Sequence, residues 1–386
     1  MAVPVIAVSC DSFRIDPFST EEEKPVSEYP LPEVARLIAE LPIQQEQLQE
    51  VYAAVSSSSE NGYDEEYMMR DLFASPGKGV GDVDGTKSSS YGNPMRNLIR
   101  EHLKDKFRTK SGESDGQTVE EYIEELAGSG AQIYWPYSEK WNGQTLPILT
   151  FDPENSDTVN VGYEIVLNPD GSRDIMEVSV DEITAKMRPV WVINRNDDSA
   201  YKSLEIRRKE DPEWGQGGSI IVGTKASAGL RTLVLKSFYV ARNFDSWFGG
   251  AAEFFLKMGS LSGFKASTTE EELRNFQPSV TDFMVVVRRG QKKTWIPMNT
   301  VVISDWEDQM ESYAFLITED DGGTTTSCKC SAVVKVQSKS YGFEMELPIK
   351  DRDDIVWRGP LSREYLEKNS GKAEQFGDVS LIFELK

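Results

Sequence analysis

The sequence predicts an α+β multidomain protein with a helical N-terminal region, a mixed β segment and an antiparallel β-sandwich C-terminal domain. The chain has 386 residues, which is long for one hydrophobic core. Its apolar residues recur at helical spacing in the first third and in short strand-like runs thereafter. We expect an N-terminal extension (1–30), a helical region (31–130), a mixed β segment (131–225) and the sandwich (226–386).

Apolar stripes and capping residues predict the helices. Residues 48–55 carry apolar side chains on one helical face. A second helix is expected to begin at Asn93-Pro94, because Asn caps helices and Pro fits their first turn. Thr118 and Glu121 have the spacing of a capping box and predict the start of a third helix.

Strand-like runs predict the mixed β segment. They cover 148–151, 163–167, 175–180 and 190–193, with a turn sequence at 168–171 between the middle two. Residues 194–218 are charged and rich in Asp, Glu and Gly, which is typical of a domain boundary.

Further runs without helical patterns between them predict the sandwich. Eight such runs lie at 233–240, 253–258, 283–287, 300–303, 314–317, 332–336, 343–347 and 379–383.

The chain contains one histidine, His102, and this scarcity limits its chemistry. Catalytic triads need a histidine held by a third group, and zinc sites use several Cys and His side chains. The sequence therefore disfavours both kinds of site and identifies no catalytic residue. His102 borders the apolar stripe of the second predicted helix, so we expect it to be a half-buried packing residue.

Two of the three cysteines, Cys328 and Cys330, are two residues apart in a strand-like run. Both side chains then lie on one face of the strand, where a mutual disulfide would be strained. The spacing favours packing in the core.

The formal net charge of -22 restricts the choice of partner. Nucleic acids and anionic membrane surfaces bind clustered Lys and Arg, so both are disfavoured. An acidic chain is instead suited to capturing a hard cation such as calcium through oxygen ligands.

Acidic residues recur in alternate connections of the predicted sandwich. Because antiparallel strands reverse direction, the first, fifth and seventh connections between the eight runs share one end of the fold. These connections carry seven carboxylates: Asp245, Glu319, Asp320, Asp321, Asp351, Asp353 and Asp354. Calcium prefers six to eight oxygen ligands, so the sequence predicts a calcium site at this end. The alternative is that these residues occupy solvated turns, where Asp is common.

This arrangement of strands and acidic loops resembles the calcium-binding edge of C2-like sandwiches. The resemblance covers roughly the last 155 residues and rests on strand count and loop composition. It implies calcium as the cofactor of this domain.

Aromatic residues suggest a second kind of site. Trp135, Tyr137 and Trp141 flank a polar loop, and Trp247 lies in a Gly-rich aromatic stretch beside Asp245. An exposed aromatic face with nearby polar groups is suited to binding a sugar ring. Packing in the core is the alternative for all four side chains.

The first residues bear on location. Residues 5–10 form a short apolar run that ends in a small residue before Cys10, which resembles the end of a bacterial lipoprotein signal. The resemblance implies lipidation of Cys10; the alternative is an ordinary first strand in residues 3–8. No apolar run is long enough to span a bilayer, so we expect any membrane link to be this lipid anchor.

Together these features are similar to uncharacterised surface lipoproteins of Bacteroidota-type envelopes. The first functional hypothesis is a non-enzymatic binding or adhesion protein of the bacterial cell envelope, either an outer-membrane lipoprotein or periplasmic, stabilised by calcium. Its partner would be a glycan or an envelope protein. The alternative is a carboxylate-dependent glycan hydrolase, which needs two carboxylates and no histidine.

Overall fold

Strands dominate the second half of the chain, whereas the first half combines helices with a smaller sheet. The computed structural model describes residues 30–74, 93–109, 118–155, 157–196, 201–210, 231–261, 278–306, 309–336 and 338–386. Over these ranges it contains eight α-helices and several sheets in which nearly all neighbouring strands are antiparallel. The predicted α+β class with a sheet-rich C-terminal region is confirmed.

Five helices form the first part of the chain. They are α1 (Leu31–Glu40), α2 (Gln45–Glu60), α3 (Met69–Phe73), α4 (Pro94–Thr109) and α5 (Val119–Gly128). The capping box before α5 is confirmed: Glu121 N donates to Thr118 Oγ1 at 3.2 Å, and Thr118 N donates to the Glu121 carboxylate at 2.7 Å. His102 lies on α4 with its side chain 24% exposed, which confirms the half-buried helical position.

Helix α1 is not predicted from the sequence, because its prolines are typical of a turn. Pro32 in fact lies in the first turn of the helix, where a backbone N–H has no intrahelical partner and its loss is tolerated.

The first sheet has six strands. They are β1 (Glu66–Met68), β2 (Ala131–Tyr134), β3 (Ile148–Phe151), β4 (Val159–Leu167), β5 (Arg173–Asp181) and β6 (Val190–Arg195), and the short helix α6 (Glu182–Met187) links the last two. Their order across the sheet is β1-β2-β6-β3-β4-β5, and only β3 and β6 are parallel.

The five N-terminal helices pack against this sheet. Val34 of α1, Val51 of α2 and Ile193 of β6 belong to one buried apolar cluster. The helical region and the mixed β segment therefore share one hydrophobic core, because each buries its apolar face against the other.

Helix α7 (Leu204–Glu210) precedes ten further strands. These elements are β7 (Arg231–Val240), β8 (Ala252–Leu261), β9 (Pro278–Val287), β10 (Ile296–Trp306), β11 (Met310–Glu319), β12 (Thr325–Val336), β13 (Lys339–Lys350), β14 (Asp354–Ser362), helix α8 (Arg363–Asn369), β15 (Ala373–Phe376) and β16 (Val379–Leu385). One sheet has the order β10-β7-β16-β15. The other has the order β13-β12-β11-β8-β9, with β14 also paired to β11.

A second hydrophobic core takes side chains from both of these sheets. Leu235 and Phe383 come from the four-stranded sheet, and Phe254 and Phe315 come from the six-stranded sheet. All eight predicted runs lie within strands, but β14 and β15 are additional. Strand β14 contains the pair Gly359-Pro360, and β15 has only four residues, so neither shows a clear strand pattern in the sequence.

The loop between β7 and β8 (residues 241–251) is held in place by the buried side chain of Arg289. Its guanidinium group donates hydrogen bonds to the backbone carbonyls of Asp245, Ser246 and Gly250, at 3.0 Å for Asp245 and 2.9 Å for Gly250. A guanidinium presents its N–H groups in a rigid fork, so these bonds determine the path of the loop.

The same loop contacts the first sheet. Trp247 and Phe248 join a buried cluster on that sheet that includes Val192. Trp247 Nε1 donates to the carbonyl of Thr158 at 2.9 Å, and Asn194 Nδ2 donates to the carbonyl of Phe248 at 3.1 Å. The loop therefore connects the first sheet to the C-terminal sheets.

Two adjacent acidic residues, Asp64 and Glu65, are buried near this contact. The Asp64 carboxylate accepts a hydrogen bond from Ala251 N at 2.8 Å, and the Glu65 carboxylate accepts bonds from Ser138 N and Oγ at 3.2 and 3.1 Å. Burial, together with the neighbouring Asp64, raises the pKa of Glu65 to about 8.

Two neighbouring glycines of the loop allow a matched test of its geometry. Gly250 has a φ of 137°, and an added Cβ would lie 3.1 Å from Asp64 Oδ2, whereas a Cβ on Gly249 would make contacts of 3.6 Å or longer. We expect Gly250→Ala to lower the free energy of unfolding by about 1–3 kcal/mol because of backbone strain. Gly249→Ala is the control, and its free energy of unfolding should fall much less. Equal losses in urea unfolding would contradict this account of the loop.

The stability of the fold should depend on pH through Glu65. Its pKa in the folded protein is about 8 against an ordinary value of 4.5, so between these values the unfolded chain loses a proton that the folded chain keeps. Stability therefore falls as pH rises through this window, and Glu65→Gln should remove that part of the loss. Urea unfolding should show that the free energy of unfolding of the variant, relative to that of the natural chain, rises by up to about 2–3 kcal/mol from pH 5 to pH 7. A stability difference independent of pH would show that Glu65 titrates normally.

Candidate metal centre

Three of the predicted carboxylates meet at one end of the C-terminal sheets. Asp245, Glu319 and Asp321 each provide an oxygen atom, and these atoms all lie within 4.8 Å of one another. Two oxygens that bind the same calcium ion at 2.3–2.6 Å can be no more than about 5 Å apart, so this spacing suits calcium. The three side chains differ in solvent exposure: Glu319 is buried, Asp245 is half-buried and Asp321 is exposed. We call these residues the carboxylate trio.

Strand periodicity explains the position of Glu319. Phe315, Ile317 and Glu319 alternate along β11 and so lie on the same face of the strand. Phe315 and Ile317 belong to the core between the two C-terminal sheets. Glu319 continues this buried face at the last residue of the strand, paired in register with Phe254 on one side and Asp354 on the other.

The environment of Glu319 is unusual for an acidic residue. Its side chain is 0% exposed, and among the described residues no donor group forms a hydrogen bond to either carboxylate oxygen. Its polar contact is with another carboxyl group, that of Asp245. Burial raises the pKa of Glu319 to about 11, and the carboxylates of Asp245, Asp321 and Asp354 contribute to the rise. Ionisation of Glu319 beside these carboxylates is costly, and a bound cation would remove that cost.

Asp320 and Asp353 lie in a different environment, beside two lysines. Asp320 accepts a hydrogen bond from Gly322 N at 2.8 Å, and its other oxygen forms an ion pair with Lys350 Nζ at 2.8 Å. Asp353 accepts from Lys350 N at 3.0 Å, and burial raises its pKa to about 6. Lys257 is buried nearby, and its charge favours the ionised form of Asp353. These two carboxylates are therefore balanced by lysines.

The remaining two predicted ligands have separate positions. Asp351 accepts hydrogen bonds from Thr324 N at 2.9 Å and Thr324 Oγ1 at 2.8 Å, so it joins the β11–β12 loop to the β13–β14 loop. Asp354 is exposed and raises the pKa of both Glu319 and Asp321 through its charge. Of the seven predicted carboxylates, the structure brings three together and places Asp354 close enough to act on them.

The aromatic residues proposed for sugar binding are mostly in hydrophobic cores. Trp135 is buried with its ring centroid 5.3 Å from that of Trp141 and 5.6 Å from that of Trp191. Tyr137 is also buried and donates its hydroxyl hydrogen to Glu182 at 2.8 Å. Trp141 is half-buried.

Trp247 is 4% exposed because it packs against the first sheet. Its position beside Gly249 and Gly250 suggested an exposed loop, and that expectation is wrong. Sugar binding by these four aromatic residues stays a prediction, and the burial of three of them gives it no support.

A cleft of about 460 Å³ lies beside the carboxylate trio. Asp354 and Phe244, the residue before Asp245, form part of its wall. Arg242 forms an ion pair with Asp378 at 2.8 Å and lies 3.8 Å from the centre of the Phe244 ring. The volume is in the range of small-molecule sites, so a polar ligand has space next to the trio.

Sequence reasoning does not identify the basic residues that determine which carboxylates are paired with a positive charge and which meet in the trio. Lys350 and Lys257 lie within strands that alternate in the ordinary way, and Arg289 follows the last residues of β9. A lysine inside the apolar run of residues 252–258 was a signal of a buried charge, because such a residue needs a carboxylate partner.

Comparison of the chain with protein-family models, with curated proteins and with solved structures found no match. Among the described residues, no helix has the length and apolar character needed to cross a membrane. Cys10 and the run of residues 5–10 lie outside the described residues.

The different environments of the carboxylates predict different effects of substitution. Asp320 is buried and paired with Lys350, so Asp320→Asn should lower the free energy of unfolding by about 1–3 kcal/mol. The loss should be the same in EDTA and in calcium, because Asp320 is outside the trio. Asp351→Asn is the control, because Asp351 is exposed and its main partner is a turn threonine. Chemical denaturation measures both. A loss for Asp320→Asn that is larger in calcium than in EDTA would instead make Asp320 a ligand.

Proposed function

We propose that this chain is a non-enzymatic binding or adhesion protein of the bacterial cell envelope, stabilised by a calcium ion at the carboxylate trio. The observation that carries the calcium site is Glu319: a fully buried carboxylate that no donor among the described residues contacts and that faces Asp245. Two carboxyl groups that face each other need a shared proton or a cation between them, because their like charges repel at close range.

We choose calcium because the trio offers oxygen ligands and an irregular geometry. Hard cations bind oxygen ligands, and calcium accepts carboxylates in one- or two-oxygen modes within a flexible geometry. The three carboxylates offer up to six oxygens, and the exposed side of Asp321 allows water to complete the shell. The dipositive ion would offset most of the charge of the three carboxylates.

The finer description of the C-terminal fold is part of this proposal. Two sheets that share one core support a β-sandwich, because each sheet buries one face against the other. The trio joins the β7–β8 loop to the end of β11, as expected for a metal site at one edge of a C2-like sandwich. The cleft beside the trio is the surface that we propose for the ligand, a glycan or a protein of the envelope.

The envelope location rests on residues 5–10 and on their resemblance to a lipoprotein signal that ends at Cys10. Mass measurement of the protein purified from cells tests this part separately, because lipidation adds the mass of the acyl chains. A hydrolase receives less support from the site. A catalytic carboxyl group must reach the glycosidic bond, and the side chain of Glu319 is fully buried.

Calcium titration of metal-free protein tests the proposal. We expect the natural chain to bind one calcium ion in calorimetry and its melting midpoint to rise by several degrees, since a ligand at 100 times its dissociation constant adds about 2.7 kcal/mol of stability. Asp245→Asn and Glu319→Gln should abolish the binding. Asp351→Asn is the matched control and should bind calcium normally, because Asp351 holds a turn outside the trio.

The same titration reports on Glu319. Its pKa of about 11 means that the metal-free protein holds a proton there at neutral pH, so calcium binding should release it. Calorimetry in buffers of different ionisation enthalpy measures this release. No calcium heat and no shift in the melting midpoint would refute the proposal, as would equal binding by the Glu319→Gln variant.

A further inference from the structure

A second group of potential metal ligands lies outside the carboxylate trio, in the hairpin formed by β12 and β13. Cys328 and Cys330 of β12 are in side-chain contact with each other. Met345 of β13 is paired in register with Cys330, and directly paired residues project from the same face of an antiparallel pair. Cys328, Cys330 and Met345 therefore present three sulfur atoms on one face of the hairpin. We call them the sulfur group.

The sulfur group is buried between the hairpin and β11. All three residues belong to one apolar cluster with Ala314 and Leu316 of β11. Gly259 of β8 leaves space for the methionine, because a Cβ at that position would lie 2.1 Å from Met345 Sδ. The sulfur group therefore lies in a buried, apolar part of the sheet, where Gly259 leaves room for Met345.

A cationic side chain contacts this site. The Arg358 guanidinium on β14 donates a hydrogen bond to Cys328 Sγ at 3.5 Å, while its own side chain is exposed to solvent. Burial, together with the neighbouring Cys328, raises the pKa of the Cys330 thiol to about 12, so a metal that binds there must displace the thiol proton.

We propose that Cys328, Cys330 and Met345 form a binding site for monovalent copper. Thiolate and thioether ligands are soft and select Cu(I), which accepts two or three sulfur ligands. Zinc normally takes four ligands, and no His, Asp or Glu among the described residues joins the two cysteines in a group that could hold a metal ion. Calcium binds oxygen, so this site is independent of the carboxylate trio.

A disulfide is the competing chemistry for two adjacent cysteines, and the strand disfavours it. Unbroken pairing of β12 with β13 on both sides of Cys330 keeps the strand extended. Two residues along an extended strand span about 6.8 Å, which is the upper limit of Cα separations in disulfides.

The charges balance when copper binds. Coordination by both cysteines releases two thiol protons to solvent, and the Cu(I) ion with two thiolates has a net charge of minus one. The positive charge of Arg358 offsets it. Met345 adds a neutral third ligand, and no change in the oxidation state of the protein is required.

The test is a titration with Cu(I) under anaerobic, reducing conditions, with bicinchoninate as the competing chelator. Cys10 is first replaced by Ser, so that Cys328 and Cys330 are the two cysteines left in the chain. We expect this protein to take one equivalent of copper from the chelator and to show sulfur coordination in X-ray absorption. Cys328→Ser/Cys330→Ser should lose the copper while still binding calcium.

Two further variants keep both thiols, so they test the copper site even if the double cysteine variant does not fold. Met345→Leu keeps the volume of the side chain and removes the thioether, so it should weaken copper binding and leave thermal stability nearly unchanged. Arg358→Gln removes the neighbouring charge and should weaken binding by about tenfold or more. Failure to compete with the chelator, or full copper uptake by the double cysteine variant, would overturn the proposal. Unchanged affinity in Met345→Leu would contradict a site made of three sulfurs.

Discussion

The hydrogen bonds of Arg289 to the β7–β8 loop are the interaction on which the rest of the structure depends. A buried guanidinium donates to three backbone carbonyls of this loop, and those bonds do not depend on the side chains that the loop carries. The loop can therefore place Trp247 against the first sheet and Asp245 against the end of β11 at the same time. One short segment thus links the packing of the two halves to the geometry of the carboxylate trio. Asp64 strengthens the link from the other side by accepting a hydrogen bond from Ala251 N.

Charge pairing divides the acidic end of the C-terminal sheets into two parts. Asp320 and Asp353 have Lys350 and Lys257 beside them, so their negative charges are compensated within the chain. Asp245 and Asp321 raise the pKa of Glu319, and Asp354 raises the pKa of both Glu319 and Asp321, as like charges do at close range. A cation is the natural complement of the second part. The same reasoning from local chemistry assigns soft sulfur ligands, buried and beside a guanidinium, to copper rather than to calcium.

Much of the fold follows from sequence periodicity. Alternation of apolar residues locates the strands of both C-terminal sheets, and the capping box at Thr118 locates the start of α5. Strand β14 escapes prediction because Gly359-Pro360 is typical of a turn, and α1 because of its prolines. Strand parity brings the loops of Asp245 and Glu319 to the same end, but it cannot tell which carboxylates meet lysines, since Lys350 pairs with Asp320 only through tertiary contact. Trp247 shows the same limit: its glycine neighbours suggest exposure, whereas its burial depends on a sheet almost a hundred residues earlier in the chain.

The most direct test of the calcium site is a crystal structure of the protein grown with calcium, with anomalous scattering used to locate the ion. The account predicts one anomalous peak between Asp245, Glu319 and Asp321, with carboxylate oxygens at about 2.3–2.6 Å from it. Crystals saturated with calcium in which Glu319 instead shares a proton directly with Asp245, with no cation between them, would contradict it.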